Sequence, residues 1–141
     1  MKLFLTISAG VLSAGLLAGC GSSNTSTPTS PSTPSGPITE NFASVLAAGG
    51  ATSRTFVATQ AGAVTVGLSD ANPDVKVGLG LGVPNGQGTI CSLTYSVTTS
   101  KSTVAQISTT ADQGSYCVEV FDVGNVPAKS AIAFQITVVH P

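Results

Sequence analysis

The sequence predicts an all-β domain: an antiparallel β-sandwich of about eight strands, placed behind a signal peptide and a disordered tether. Three observations carry this expectation. Apolar residues alternate with polar residues or glycine along most of the second half of the chain. Turn formers fall between those stretches, and no apolar stripe of helical period outlasts two turns. Charged residues make up 8% of the chain, against about 25% in an ordinary soluble domain, so 18 Ser and 18 Thr must supply the polar surface. Lys and Arg total 5 and Asp and Glu total 6. No basic patch can be assembled from so few cations, which excludes nucleic-acid binding driven by phosphate neutralisation.

Taken in order, residues 1–19 have the proportions of a secretory leader. Lys2 is a minimal positive start, and Leu3 to Leu17 is an apolar stretch broken by Thr, Ser and Gly. It falls short of the roughly 20 residues a membrane span needs. The segment ends Leu17-Ala18-Gly19-Cys20, which resembles the lipobox of bacterial lipoproteins. That resemblance implies diacylglycerol on the Cys20 thiol and cleavage before it. It also implies acylation of the new amine, because a single chain anchors only marginally. The partner so implied is a membrane, reached through the N-terminal lipid. In enteric bacteria an Asp after the cysteine retains such proteins at the inner membrane. Gly21 therefore favours the outer membrane if the cell is Gram-negative.

Residues 20–37 hold the acylated cysteine and a linker, Gly21 to Pro37, reading GSSNTSTPTSPSTPSGP. It has no charge, aromatic or aliphatic side chain to repay the entropy of ordering. Its four prolines bias it towards extended conformations, with a reach of roughly 50 Å at about 3.1 Å per residue. It is expected to lift residues 38–141 off a membrane.

Within 38–141, Phe42 to Ala48 is expected as a first strand ended by Gly49-Gly50. Further strands are expected where Val64, Val66 and Leu68 alternate, then Val75, Val77, Leu79 and Leu81. Tyr116, Val118 and Val120 mark another, and Ile132, Phe134, Ile136 and Val138 the last. Turns are expected at Ala61-Gly62, Asp70 to Pro73, Pro84 to Gly86, Asp112 to Gly114 and Gly124-Asn125. By parity, Phe56, Tyr95, Tyr116 and Phe134 belong to the core, leaving Phe121 and Phe42 as candidates for exposure.

With Cys20 set aside, Cys91 and Cys117 form an even pair, which export would oxidise to a disulfide. Their parities disagree. Cys117 faces away from Tyr116 and Val118, whereas Cys91 shares parity with Leu93 and Tyr95, so either a bulge lies near Cys91 or the faces are misassigned there.

The order of these signals resembles the bacterial pre-peptidase C-terminal (PPC) domain family. It is carried by Gly62-Ala63-Val64-Thr65-Val66, Pro73-Asp74-Val75-Lys76-Val77, Gly114-Ser115-Tyr116-Cys117-Val118-Glu119-Val120 and Phe134-Gln135-Ile136-Thr137-Val138, across nearly all of residues 40–139. Asp74 matches the leading acid of the family's DxDLYL strand, but Lys76 replaces its second acid and Gly78 its aromatic. The resemblance implies a non-catalytic, jelly-roll-like sandwich.

Little chemistry is visible. His140, the one histidine, continues the parity of Ile136 and Val138, so it reads as the end of the last strand rather than as a catalytic base. No HExxH, P-loop or nucleophile elbow occurs. Asp70-Ala71-Asn72-Pro73-Asp74 imitates the first half of an EF-hand loop, with Asp70, Asn72 and Asp74 as the ligands a calcium ion would take. Val75 stands where that loop needs Gly and Leu81 where it needs Glu, so the run reads first as a corner of turn formers. No other cofactor is expected. The functional expectation is a lipid-anchored, non-enzymatic binding or accessory module of the cell envelope, with polysaccharide, peptide or a partner protein as ligand. A structural envelope lipoprotein within a complex is the alternative.

Overall fold

The structure, a computed structural model, describes residues 36–86 and 90–141. The signal peptide, Cys20 and almost all of the linker lie outside those residues. The alternating stretches form eight strands: β1 (Ile38–Ala47), β2 (Ala51–Ala58), β3 (Gly62–Asn72), β4 (Val77–Asn85), β5 (Ile90–Thr99), β6 (Ile107–Ala111), β7 (Gly114–Phe121) and β8 (Ala131–His140). No helix occurs among the described residues. Two boundaries differ from expectation. β3 continues through Asp70 to Asn72, where the sequence reads as a turn, and the corner follows at the cis Asn72–Pro73 bond. Val75 precedes β4 and packs half-buried against the core rather than within a strand.

The strands form two four-stranded sheets, β1-β8-β3-β6 and β2-β7-β4-β5, with every pairing antiparallel. Only β4 and β5 are hairpin neighbours in one sheet; each other connection passes from one sheet to the other. This is the jelly-roll order, and it places β6 opposite β5 along one flank of the sandwich.

Period-two patterning sends one face of each strand inward. Val64, Val66 and Leu68 from β3, Leu79 from β4, Val118 and Val120 from β7, and Ile132 and Val138 from β8 are fully buried and meet in one core. Each such side chain contributes about 1.5–3 kcal/mol by leaving water. From Val77 to Gly82, β4 is buried on both faces. Val77, Leu79 and Leu81 point inward, and the outward positions between them are Gly78, Gly80 and Gly82. A Cβ on Gly78 would collide with the Phe121 ring, and one on Gly80 would lie 2.7 Å from the Leu93 methyls. At Gly82 it would collide with the Ser92 backbone. Neighbouring strands therefore lay themselves over the glycines. This is where Phe121 goes: it is half-buried on Gly78 rather than exposed.

One carboxylate ties the far end together. Asp122 Oδ1 accepts backbone N–H groups from Gly124, Asn125 and Val126 at 2.8, 2.9 and 3.0 Å. Its Oδ2 accepts from Gly49 at 2.8 Å, so the β7–β8 connection clasps the β1–β2 turn. The Gly49 and Val126 N–H groups lead in holding this carboxyl below its usual range, because they stabilise the charged form.

Candidate functional site

The two domain cysteines are bonded, Cys91 to Cys117, with Cα atoms 5.8 Å apart. Cys117 on β7 pairs with Gly82 of β4, and Cys91 on β5 pairs with Pro84 of β4, so the disulfide spans the strand between. The conflicting parities resolve through a bulge. Leu81 pairs with Tyr95 but Gly82 pairs with Leu93, so Thr94 is an extra residue that switches the face of β5. Cys91 and Leu93 turn outward with Cys117, and Tyr95 and Val97 turn inward opposite Leu81 and Leu79. The glycine at position 82 leaves room for β5 to close over β4 at this point.

Asp70, Asn72 and Asp74, the candidate calcium ligands, are all exposed. Asp70 and Asn72 share the outer face of β3, on either side of buried Ala71, while Asp74 stands beyond the cis corner in the β3–β4 connection. Asp70 Oδ1 accepts the Ala71 N–H at 2.9 Å and lies 3.7 Å from Lys101 Nζ. That carboxylate is thus engaged locally and by a side-chain cation. Among the described residues, no three His, Cys, Asp or Glu side chains gather in a metal-holding group.

His140 lies inside the core end, 1% exposed, with its ring 4.9 Å from Phe56. Its Nε2 is 2.9 Å from Glu40 Oε1 and its Nδ1 is 3.1 Å from the Pro141 oxygen. Both ring nitrogens are committed to packing partners, and neither contact is to a hydroxyl or thiol. Glu119, on the outer face of β7, has its pKa raised by partial burial. Among the described residues, every buried side-chain nitrogen or oxygen has a partner.

A recess of about 340 Å³ lies on the outer face of the β1-β8-β3-β6 sheet. Its floor is Thr65, Gly67 and Ser69 of β3 with Thr137 and Val139 of β8, and its wall is Ser102 to Ala105. The wall stands because the β5–β6 connection is laced along β3 where β6 gives out. Gln106 N–H donates to Val66 O at 3.0 Å and Ser102 N–H to Leu68 O at 2.9 Å. The Gln106 side chain acts as a missing piece of strand: its Oε1 accepts the Leu68 N–H at 2.7 Å, and its Nε2 donates to Ser100 O at 3.3 Å. Lys101 Nζ adds a bond to Ala71 O at 3.4 Å. The wall closes down onto Gly67, where a Cβ would just touch it, 3.4 Å from both the Ala105 Cα and the Gln106 Oε1. Among the described residues, no charged or aromatic residue lines the recess, and five hydroxyl side chains do.

Sequence reasoning misses this site. A glycine inside a β-strand pattern is the one local sign of close backbone approach. Nothing in the sequence marks Gln106 as a strand substitute.

A second cleft, about 180 Å³, opens between β5 and β6 and is lined by both tyrosines, Tyr95 and Tyr116, with Leu81, Val83 and Thr109 among its walls. Tyr116 packs against Phe56 at 5.8 Å and donates its hydroxyl to Asp112 O at 3.0 Å. Tyr95 departs from the expected core position. It faces inward but is 48% exposed, because β6 has 5 residues facing the 10 of β5 and leaves the ring uncovered. Phe56 and Phe134 are core, and Phe42 is half-buried against it.

No family model matches the chain, and no curated protein matches it.

Proposed function

We propose that the protein is a membrane-anchored lipoprotein of the bacterial cell envelope, acylated at Cys20. Its PPC-like sandwich is a non-catalytic module that holds a neutral polysaccharide segment. The observation that carries this reading is the laced recess over Gly67, whose wall is held by backbone bonds and whose lining combines hydroxyls with small apolar groups. An uncharged, hydroxyl-rich ligand suits such a surface: it needs hydrogen-bond partners and contact area but no counter-charge. The Cys91–Cys117 bond supports export, because disulfides persist in oxidising compartments. The commitment of both His140 nitrogens, to the Glu40 carboxylate and the Pro141 oxygen, supports a non-enzymatic role. Exposure of the β5 edge favours a second reading, a structural lipoprotein that packs with protein in the envelope.

The test begins with a pull-down from intact cells using the lipidated protein and a secreted Cys20→Ala form. Recovery of one polysaccharide by both forms supports the module, with the lipid serving only to position it. Thr103→Trp, at the exposed rim of the recess, is expected to abolish that recovery while leaving thermal stability unchanged. Unaltered recovery by Thr103→Trp would show that the ligand binds elsewhere. Partners found only with the lipidated form favour the structural reading.

A further inference from the structure

Four strands form the edges of the two sheets: β1, β6, β2 and β5. Edges expose unpaired backbone groups, and soluble proteins ordinarily guard them with charge, proline or short length. Three of these edges are guarded. β1 carries Glu40, β2 carries Arg54, and β6 has 5 residues. β5 reads ICSLTYSVTT, with 10 residues, no charge and no proline. It also holds the densest run of exposed large apolar side chains among the described residues. Ile90 is 61% exposed and Tyr95 48%, with Leu93 and Val97 beside them and Val83 on the adjoining strand. Tyr95 and Val97 lie on the inward side of this edge and Leu93 on its outward side, so apolar surface flanks the uncharged edge on both sides.

We propose that the chain self-associates through β5. Two copies pair this edge antiparallel about a twofold axis and join their β2-β7-β4-β5 sheets into one continuous eight-stranded sheet. A twofold interface places one surface against itself, so the surface must be self-complementary. β5 meets that condition in any register, because no residue on it can face a like charge. Pairing β1 or β2 with its own copy would bring two Glu40 or two Arg54 side chains onto the same seam. Pairing at β5 also covers the inward-facing Tyr95 and Val97 that short β6 leaves open. The recess over Gly67 lies on the outer face of the other sheet and stays free, so this inference does not depend on the polysaccharide reading.

The experiment is sedimentation equilibrium of the full chain in its Cys20→Ala form, so that no lipid contributes to association. A monomer–dimer equilibrium is expected at micromolar concentrations. Ser96→Lys with Thr98→Lys, both exposed on β5, is expected to weaken the dimer by roughly tenfold or more. Thr55→Lys, exposed on β2, is expected to leave it unchanged. Thermal melts of the dilute proteins establish that all variants fold. The proposal is overturned by a monomer at every concentration, by a dimer indifferent to the β5 lysines, or by equal loss with Thr55→Lys. Stoichiometric binding of β5 to a different protein by an otherwise monomeric chain overturns it too.

Discussion

β5 and β6 face each other along one flank of the sandwich, yet they solve the edge problem in opposite ways. β6 stops after 5 residues, and the chain before it substitutes side-chain and isolated backbone bonds for a ladder, so the free edge of β3 is occupied by Gln106 and Ser102. β5 runs for 10 residues, bears no charge, and is secured at its start by a covalent bond to β7. One edge is closed by many weak local contacts. The other is held from behind and left open in front. The difference teaches that the same flank supports a shaped recess on one sheet and a bare pairing surface on the other.

Perturbations that cut each type of fastening should separate the two regions. The largest effect is expected from Cys91→Ala with Cys117→Ala. The bond closes a sequence separation of 26, and its loss should cost about 3 kcal/mol in the chain-entropy account. In urea denaturation the midpoint should fall while amide exchange in residues 100–106 stays slow. Fast exchange there would mean that the staple supports both edges.

Next is Gly82→Ala, expected to cost about 2 kcal/mol because the added methyl meets the Ser92 backbone and must push β5 away. Gly80→Ala should cost less, since the obstructing Leu93 methyls end a flexible side chain. Equal losses in thermal melts would remove the distinction between the backbone and side-chain covers of β4.

Gln106→Ala should cost about 1–2 kcal/mol by leaving the Leu68 N–H without its acceptor. Its signature is local. Exchange at Leu68 and across residues 100–106 accelerates and recess binding weakens, while the β5 dimer persists.

Acidification is the mildest perturbation and acts at the far end. Asp122 has a folded pKa below its unfolded value, so its stabilisation is fully present above about pH 4 and is lost as pH falls through the lowered folded value. Comparison of thermal midpoints between pH 7 and pH 2 should show Asp122→Asn losing part of the wild type's acid sensitivity. A parallel decline in both proteins would assign that sensitivity to other carboxylates.

The core was legible in the sequence because strand period depends only on which face of a residue is buried. Ile132, Phe134, Ile136 and Val138 declare β8 without reference to any other strand. The Cys91–Cys117 pair was legible by count, and its parity conflict left open a bulge near Cys91 or misassigned faces, which the bulge at Thr94 resolves. What was not legible depends on relations between distant segments. Tyr95 has inward parity, but its exposure follows from the brevity of β6, which no residue of β5 encodes. The recess wall likewise depends on Gln106 reaching a Leu68 amide 38 positions away.

The glycines of β4 carry one more consequence. With β7 and β5 bonded to its two sides and Phe121, Leu93 and Ser92 lying over Gly78, Gly80 and Gly82, β4 has no outside from Val77 to Gly82. Water reaches its amides only when several strands part at once, so the exchange of β4 reports the opening of the whole domain rather than local fraying. A strand with so little side-chain bulk becomes the last part of the molecule to be wetted, and its hydrogen clock times the life of the folded state.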